Sequence, residues 1–583
     1  MENAKHPLPI SKKELDDLGI WQPDFIIVSG DAYIDHPSFG TALIGRLLER
    51  AGFSVAVIPQ PDWHSTKDFE RFGMPRLAFL VNAGNIDSMV ANYTVAKRRR
   101  EYDYYSPDGK VGKRPDRAVI VYCNKIREAY GDVPIVIGGI EASLRRFAHY
   151  DYWENRIRKS ILIDSGADLL SYGMGERSIL RIAELLERGI PIHKIRDVRG
   201  TAFIAERDYK PKGAMIRLPD YKTVLGDKLK YASSFKTQYQ NCDAIGGKVL
   251  CELYDEGLLV QNPPSLPLNT EELDDLAQLS YTRKPHPSYG KKGIPALTEV
   301  EFSITHNRGC FGGCAFCAIA YHQGRAVTSR SIDSVIEEVE FLTKQPDFKG
   351  YIHDIGGPTA NFRTGPCKAV AEGKRGVCTE RRCLSPDICP NLIKDHSEYL
   401  ELLRRASAVK GVKKVFVRSG IRHDYVMADK TYGGMFIEAL AKRHVSGQLR
   451  AAPEHICPEV LSLMGKPSYE VYEKFVSKFN AASKKAGLEQ YVVPYLMSSH
   501  PGSTMKSAER LATYMQKNRV RSEQVQDFYP TPGTAATVMY YTGVDPFTNR
   551  KVYVATSPEE KRAQRALLGQ KKPTSHRKNR RRK

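Results

Sequence analysis

No stretch of this chain approaches the about 20 uninterrupted apolar residues that a membrane-spanning helix needs. Met1 to Gly19 mixes Lys, His, Asp and Glu with Pro and lacks the apolar run of a secretion signal. A cytoplasmic protein with no membrane partner is therefore expected. No internal repeat is visible, which sets repeat architectures aside. In a reducing compartment the eleven cysteines are poor material for a disulfide framework, so clustered ones read as metal ligands or reactive thiols. Acid is missing from the terminal stretch 571–583, which carries eight Lys and Arg and cannot build a core. A solubilising tail and an RNA- or ribosome-contacting arm both account for it.

What is present is the balance of a soluble globular protein: 583 residues, 41% hydrophobic and 27% charged, enough for two or three domains. The net charge of +21 keeps RNA open as a partner, although eight of those charges sit in the terminal stretch. From Pro23 a strand (24–29), a helix (41–51) and a strand (54–58) form a βαβ unit. Further apolar runs at 77–82, 118–122, 134–137 and 168–172 extend the alternation. The pattern predicts an N-terminal doubly wound parallel α/β domain over residues 20–200. Gly138-Gly139 and Gly173-Met174-Gly175-Glu176 follow two strand ends, where such sheets bind ligands or merely turn. Residues 201–295, with Asn262-Pro263-Pro264 and the proline-rich 283–287, read as a linker carrying short elements.

A second alternation starts after Pro295. Strands are expected at 300–305, 351–355, 414–417, 448–452, 491–497 and 524–528, and the first helix at 331–344 with Ser331 as its N-cap. Six βα steps over residues 296–530 resemble an incomplete barrel, whose chemistry collects at the C-terminal strand ends. Residues 531–583 form a C-terminal extension.

Cys310, Cys314 and Cys317 follow the first of these strands as C-x3-C-x2-C, among Gly309, Gly312 and Gly313. Thiolates suit iron–sulfur clusters, zinc or Cu(I). Structural zinc wants four ligands, and a distant group such as His322 would have to complete the set. On a cubane, three cysteines leave one iron free to bind a substrate or cofactor.

With Phe316 at the aromatic position, the loop resembles the C-x3-C-x-aromatic-C signature of the radical S-adenosylmethionine (SAM) superfamily. The resemblance implies a partial (βα)6 radical SAM barrel and a [4Fe-4S] cluster whose open iron chelates SAM. Cleavage of SAM to a 5′-deoxyadenosyl radical would then draw on a cellular electron donor such as flavodoxin or ferredoxin. Gly356-Gly357 is similar to the family's Gly-Gly element for the SAM amino group. Ser419, between Arg418 and Arg422, stands where ribose or carboxylate would be met. Glu454 resembles the position of a SAM-proximal Glu-Ser pair, and 500–504 that of a Pro-Gly-Glu-Thr turn.

Cys367, Cys378, Cys383 and Cys389 fall in one Gly- and Pro-rich insertion, 362–392, after the second strand. Metal coordination could order so apolar-poor a segment. Zinc and an auxiliary iron–sulfur cluster both suit four thiolates, and free thiols are the alternative. With Trp21-Gln22-Pro23, Asp35 to Gly40, Gly356 to Phe362, Asp387 to Leu392 and Gln526 to Pro532, the chain resembles the YgiQ family of radical SAM proteins over nearly its whole length. Many radical SAM enzymes carry a cobalamin domain in the first position, marked D-x-H-x-x-G. Here Asp35 and His36 are adjacent and Gly40 lies four residues on, which speaks against histidine-ligated cobalamin. No catalytic acid, base or radical-quenching residue stands out. The rival readings are an RNA-modifying methylthiotransferase-like enzyme, which would carry a further N-terminal three-cysteine domain, and a non-catalytic metal-stabilised RNA-binding protein.

Overall fold

A computed structural model describes residues 3–518, 520 and 525–569, and the basic stretch 571–583 lies outside the described residues. Five apolar runs form parallel strands: Phe25–Ser29 (β1), Val55–Pro59 (β2), Ala78–Asn82 (β3), Ile135–Ile137 (β4) and Leu169–Ser171 (β5). The two-residue strand period sorts their side chains onto two buried faces. Phe25, Ile27, Val55, Val57 and Leu80 pack with Leu47 and Leu48 of helix Gly40–Arg50 and with Ile179 and Ile182 of helix Glu176–Glu187. Ile26, Val28, Ala56, Ile58, Phe79 and Val81 pack with Tyr122 and Ile126 of helix Ala118–Tyr130. Helices therefore cover both faces of a mixed α/β structure.

Two expectations change. Residues 118–122 are the start of that helix, not a strand. Their buried positions Ala118, Val119, Tyr122, Cys123 and Ile126 recur at helical spacing, and Val119-Ile120-Val121 imitates a strand only over a short window. Residues 201–295 are also more than a linker. Thr201–Ala205 (β6), Met215–Arg217 (β7), Val249–Leu253 (β8) and Leu258–Gln261 (β9) complete a nine-stranded sheet in the order β2-β1-β3-β4-β5-β6-β9-β8-β7. The pairings β5–β6, β6–β9 and β9–β8 are antiparallel. The proline clusters that suggested a linker come after the last of these strands.

In the second half, apart from a short antiparallel pair of Asn307–Arg308 with Thr328–Ser329, strands pair in parallel and chain order follows spatial order. Ser303–Thr305 (β10) pairs with Asp354–Gly356 (β12), and Tyr351–Ile352 (β11) with Lys414–Val415 (β13). Gln448–Glu454 (β14) pairs with Tyr491–Ser498 (β15), which pairs with Val525–Asp527 (β16). Val417 N donates to His444 O at 3.1 Å, bringing the chain after β13 to the helix end that precedes β14. Ile304, Ile352, Ile355, Val415 and Leu449 point outward onto Val335, Val339, Leu402 and Phe475 of the covering helices. Glu338 joins the segments. It pairs with Arg283 and Arg330, each at 2.5 Å, and all three side chains are buried. Among the described residues no helix is long and apolar enough to cross a membrane.

Candidate iron–sulfur and SAM site

The cysteine loop leaves β10 through Asn307 and Arg308. Gly309 has φ +80°, and a Cβ there would strike the Ala326 carbonyl, so the approach to Cys310 requires glycine. The loop is pinned from both sides: Cys310 N donates to Gly324 O at 3.1 Å, and Ala315 N donates to Met464 O at 2.8 Å. Donors converge on its sulfurs. Gly312 N–H donates to Cys310 Sγ at 3.4 Å, Thr359 Oγ1 lies 3.3 Å from the same sulfur, and Arg422 Nη1 donates to Cys314 Sγ at 3.3 Å. Burial pushes the Cys317 thiol up to about 12 and raises Cys310 as well. A bound cation would reverse that penalty, because a coordinating thiol is deprotonated outright. Three soft donors on one loop, with hydrogen-bond donors aimed at two of them, fit an iron–sulfur cluster by donor chemistry.

Arg422 is itself held by Asp424. Its Nε and Nη2 donate to the carboxylate at 2.8 and 2.5 Å, and its Nη1 also reaches Gly312 O at 3.1 Å. Both side chains are buried, and the guanidinium holds Asp424 down at about 2. The sequence offered Arg422 to ribose or carboxylate; the fold turns it onto the cysteine loop.

The other expected positions surround the loop unevenly. Gly356 and Gly357 are cramped: a Cβ on the first would collide with Ser419 and Asp354, and one on the second with Asn307. The Ser419 hydroxyl donates to Asp354, whose other oxygen accepts from Arg418 N at 2.8 Å. Glu454 has φ +68° and pairs with buried Lys466 at 3.4 Å, while Lys466 Nζ also donates to Ala452 O at 2.9 Å. That lysine lies 5.8 Å from the Phe316 ring, which meets His500 edge-on at 6.0 Å. Phe316 and Glu454 are thus linked through one lysine that sequence reasoning passed over.

A cavity of about 540 Å³ lies where the two halves meet. Its walls include Asn82, Gly138, Gly139 and Glu176 from the carboxyl edge of the first sheet, and Thr305, Asn307, Arg308 and His322 beside the cysteine loop. Arg308 pairs with Glu176 across it. Asn307 is 1% exposed; its Nδ2 donates to Phe362 O at 2.8 Å, yet its Oδ1 has no partner. Asn307 was missed, and its place directly before the Arg308-Gly309-Cys310 run was the available signal. His36 is fully buried, and burial lowers it to about 3. Its Nδ1 accepts from Ser38 N at 3.1 Å, and Pro37, Ser38 and Gly40, rather than His36, line the cavity.

Cys367, Cys378, Cys383 and Cys389 gather in the insertion: Cys389 N donates to Cys383 O at 2.9 Å, and the other three thiols lie within electrostatic range of Cys383. Among the described residues no three His, Cys, Asp or Glu side chains adopt an arrangement suited to one metal ion, in either cysteine group.

The family profile described as Radical SAM N-terminal matches residues 7–303, and a domain of unknown function, DUF3362, matches 523–579. A UPF0313 protein of Clostridium botulinum (strain 657, Type Ba4) is 55% identical over 562 residues, 96% of this chain and 87% of its own length. One from Clostridium perfringens (strain 13) is 54% identical over 570 residues, 98% of this chain and 86% of its own. The fold is similar to that of TsrM from Kitasatospora setae, a radical SAM methyltransferase solved with cobalamin and a [4Fe-4S] cluster bound. The TM-score is 0.50 at 14% identity, covering 95% of this chain and 92% of that one.

These matches place the chain among the radical SAM proteins. Within them it belongs to the UPF0313 family, the YgiQ-like group that its motifs resemble.

Proposed function

We propose that the chain is a radical SAM enzyme that abstracts hydrogen from an unactivated carbon of a small molecule seated in the 540 Å³ cavity. The reading rests on one juxtaposition: Asn307, Arg308, His322 and Gln323, which flank the three-cysteine loop in sequence, share the cavity wall with the glycine-rich carboxyl edge of the first sheet. Its volume falls within the usual range for small-molecule sites. The second half is read as an open βα barrel, consistent with its parallel strands in chain order.

A [4Fe-4S] cluster held by Cys310, Cys314 and Cys317 would supply the electron and the open iron for reductive cleavage of SAM to a 5′-deoxyadenosyl radical. The protein's part is positioning. Arg422 fixes the Cys314 end of the loop and places a permanent positive charge beside its sulfur. Gly356-Gly357 lets the backbone pass closely by Asn307, whose Oδ1 has no partner and is an acceptor suited to an ammonium group. Ser419, turned onto Asp354, positions that carboxylate and the strand end rather than offering a free donor. Lys466 bridges Glu454 and the face of Phe316, the aromatic residue of the cysteine loop.

The neighbour's cobalamin keeps a corrinoid in view for this cavity. His36 does not fit as its axial ligand, being enclosed away from the cavity lining, so a corrinoid here would bind without it.

The test is anaerobic purification with iron and sulfide analysis, then reduction in the presence of SAM. Release of 5′-deoxyadenosine that disappears in Cys314→Ala supports the reading. Protein that holds only zinc at the loop, or a cluster that leaves SAM intact, overturns it.

A further inference from the structure

The insertion carrying the second cysteine group has little means of ordering itself. Between Arg363 and Asn391 its only helix is Lys368–Ala371, and the buried apolar side chains are Pro366, Val377 and Leu384. Its base is closed by Ile393 N donating to Pro366 O at 2.9 Å. Within it, four thiols stand together, none shared with a disulfide, and Arg375 Nη2 donates to Cys378 Sγ at 3.2 Å. A metal centre would supply the missing folding energy.

Where this group sits decides what the centre would do. One short turn touches both sets of cysteines: Gly324 O accepts from Cys310 N at 3.1 Å, and the next residue, Arg325, donates to Cys378 O at 2.7 Å and to Arg381 O at 3.1 Å. Cys310, Cys383 and Cys389 also pack against one apolar cluster, built from Phe311, Val327, Phe362, Leu384, Leu392 and Tyr425. In it the Phe311 and Phe362 rings stack with centroids 3.7 Å apart. The four thiols do not adopt a single-ion arrangement, and neither do the three of the first loop. Ligands of a cubane each bind their own iron and so stand further apart than four ligands of one zinc.

We propose that Cys367, Cys378, Cys383 and Cys389 bind a second [4Fe-4S] cluster, closed by four thiolates, that relays single electrons to the cluster at Cys310, Cys314 and Cys317. Four protein ligands leave it no open iron, so it serves electron transfer and not SAM binding. One electron leaves a reduced carrier of the flavodoxin or ferredoxin class, reduces this cluster, and passes on to the first, leaving it oxidised again; no atom moves. The relay rests on the first cluster as proposed above, whereas the second cluster itself does not.

The experiment uses the full chain, purified without oxygen and reconstituted with iron and sulfide. Wild type should hold about eight irons, and Cys383→Ser and Cys389→Ser about four each, as should Cys314→Ala. In the two serine variants the electron paramagnetic resonance signal of the first cluster should still respond to SAM, which also reports that the fold survives. With reduced flavodoxin their 5′-deoxyadenosine release should fall to background, while with dithionite it should persist. Wild type with about four irons, or with zinc in the insertion, overturns the second cluster. Undiminished turnover with flavodoxin in a serine variant lacking half its iron overturns the relay. Eight irons in wild type without SAM cleavage would sink the first reading and leave the second cluster standing.

Discussion

The guanidinium of Arg422 donates to the sulfur of Cys314 across 3.3 Å, although 108 residues separate them in sequence. The same side chain is clamped by Asp424, so the charge beside the cysteine loop is fixed in place.

Arg422→Gln should therefore act twice. Leaving Asp424 buried without its partner should cost about 3–5 kcal/mol of stability. The double variant Arg422→Gln/Asp424→Asn should recover much of that loss but not the charge at Cys314. In it the first cluster should titrate at a more negative potential than in wild type, read by potentiometric electron paramagnetic resonance. An unchanged potential would refute the assigned electrostatic role.

Glu338 gives the pH dependence. Arg330 and Arg283 hold its folded pKa at about 2, below the ordinary 4.5, against the opposing effect of burial. A depressed carboxylate stabilises the fold above its unfolded pKa and loses that contribution as pH falls through the folded value. Glu338→Gln should thus be destabilised by about 3–5 kcal/mol near neutrality, because it strands two buried arginines. The gap between wild type and variant in chemical denaturation should narrow as pH drops from 4.5 toward 2.

Gly357→Ala would drive a Cβ into Asn307, beside the cysteine loop. Overpacking of this kind costs about 1–3 kcal/mol, leaving a folded protein. Iron content should stay at the wild-type level while SAM binding, followed by its effect on the cluster spectrum, weakens. Equal SAM affinity in the variant would remove Gly357 from the site.

His36→Ala tests the corrinoid question. Should the protein take up hydroxocobalamin, the absorbance spectrum of the bound form should be the same in variant and wild type, since His36 is enclosed away from the cavity. A spectral shift on substitution would restore His36 as a ligand.

What could be read from the sequence was what is encoded locally. The spacing of Cys310, Cys314 and Cys317 and the apolar runs of β1 to β5 each lie within a few residues, and the strands fell close to their expected bounds. The helix at 118–130 was misread because β-branched residues at its start satisfy a strand pattern over five positions. β6 to β9 were passed over because the prolines that follow them dominated the reading of the whole segment. Arg422 on Cys314, Asn307 beside Gly357 and Lys466 between Glu454 and Phe316 depend on tertiary approach, which no local pattern carries.

The cavity has Ser38 on one wall and Glu338 on another, so it exists only when both halves of the chain are folded and docked. An occupant would act as a brace between them, favouring the assembled state by mass action. Protease nicking of the connecting segment should slow when the site is filled, which gives a way to screen for the natural ligand before any reaction is known.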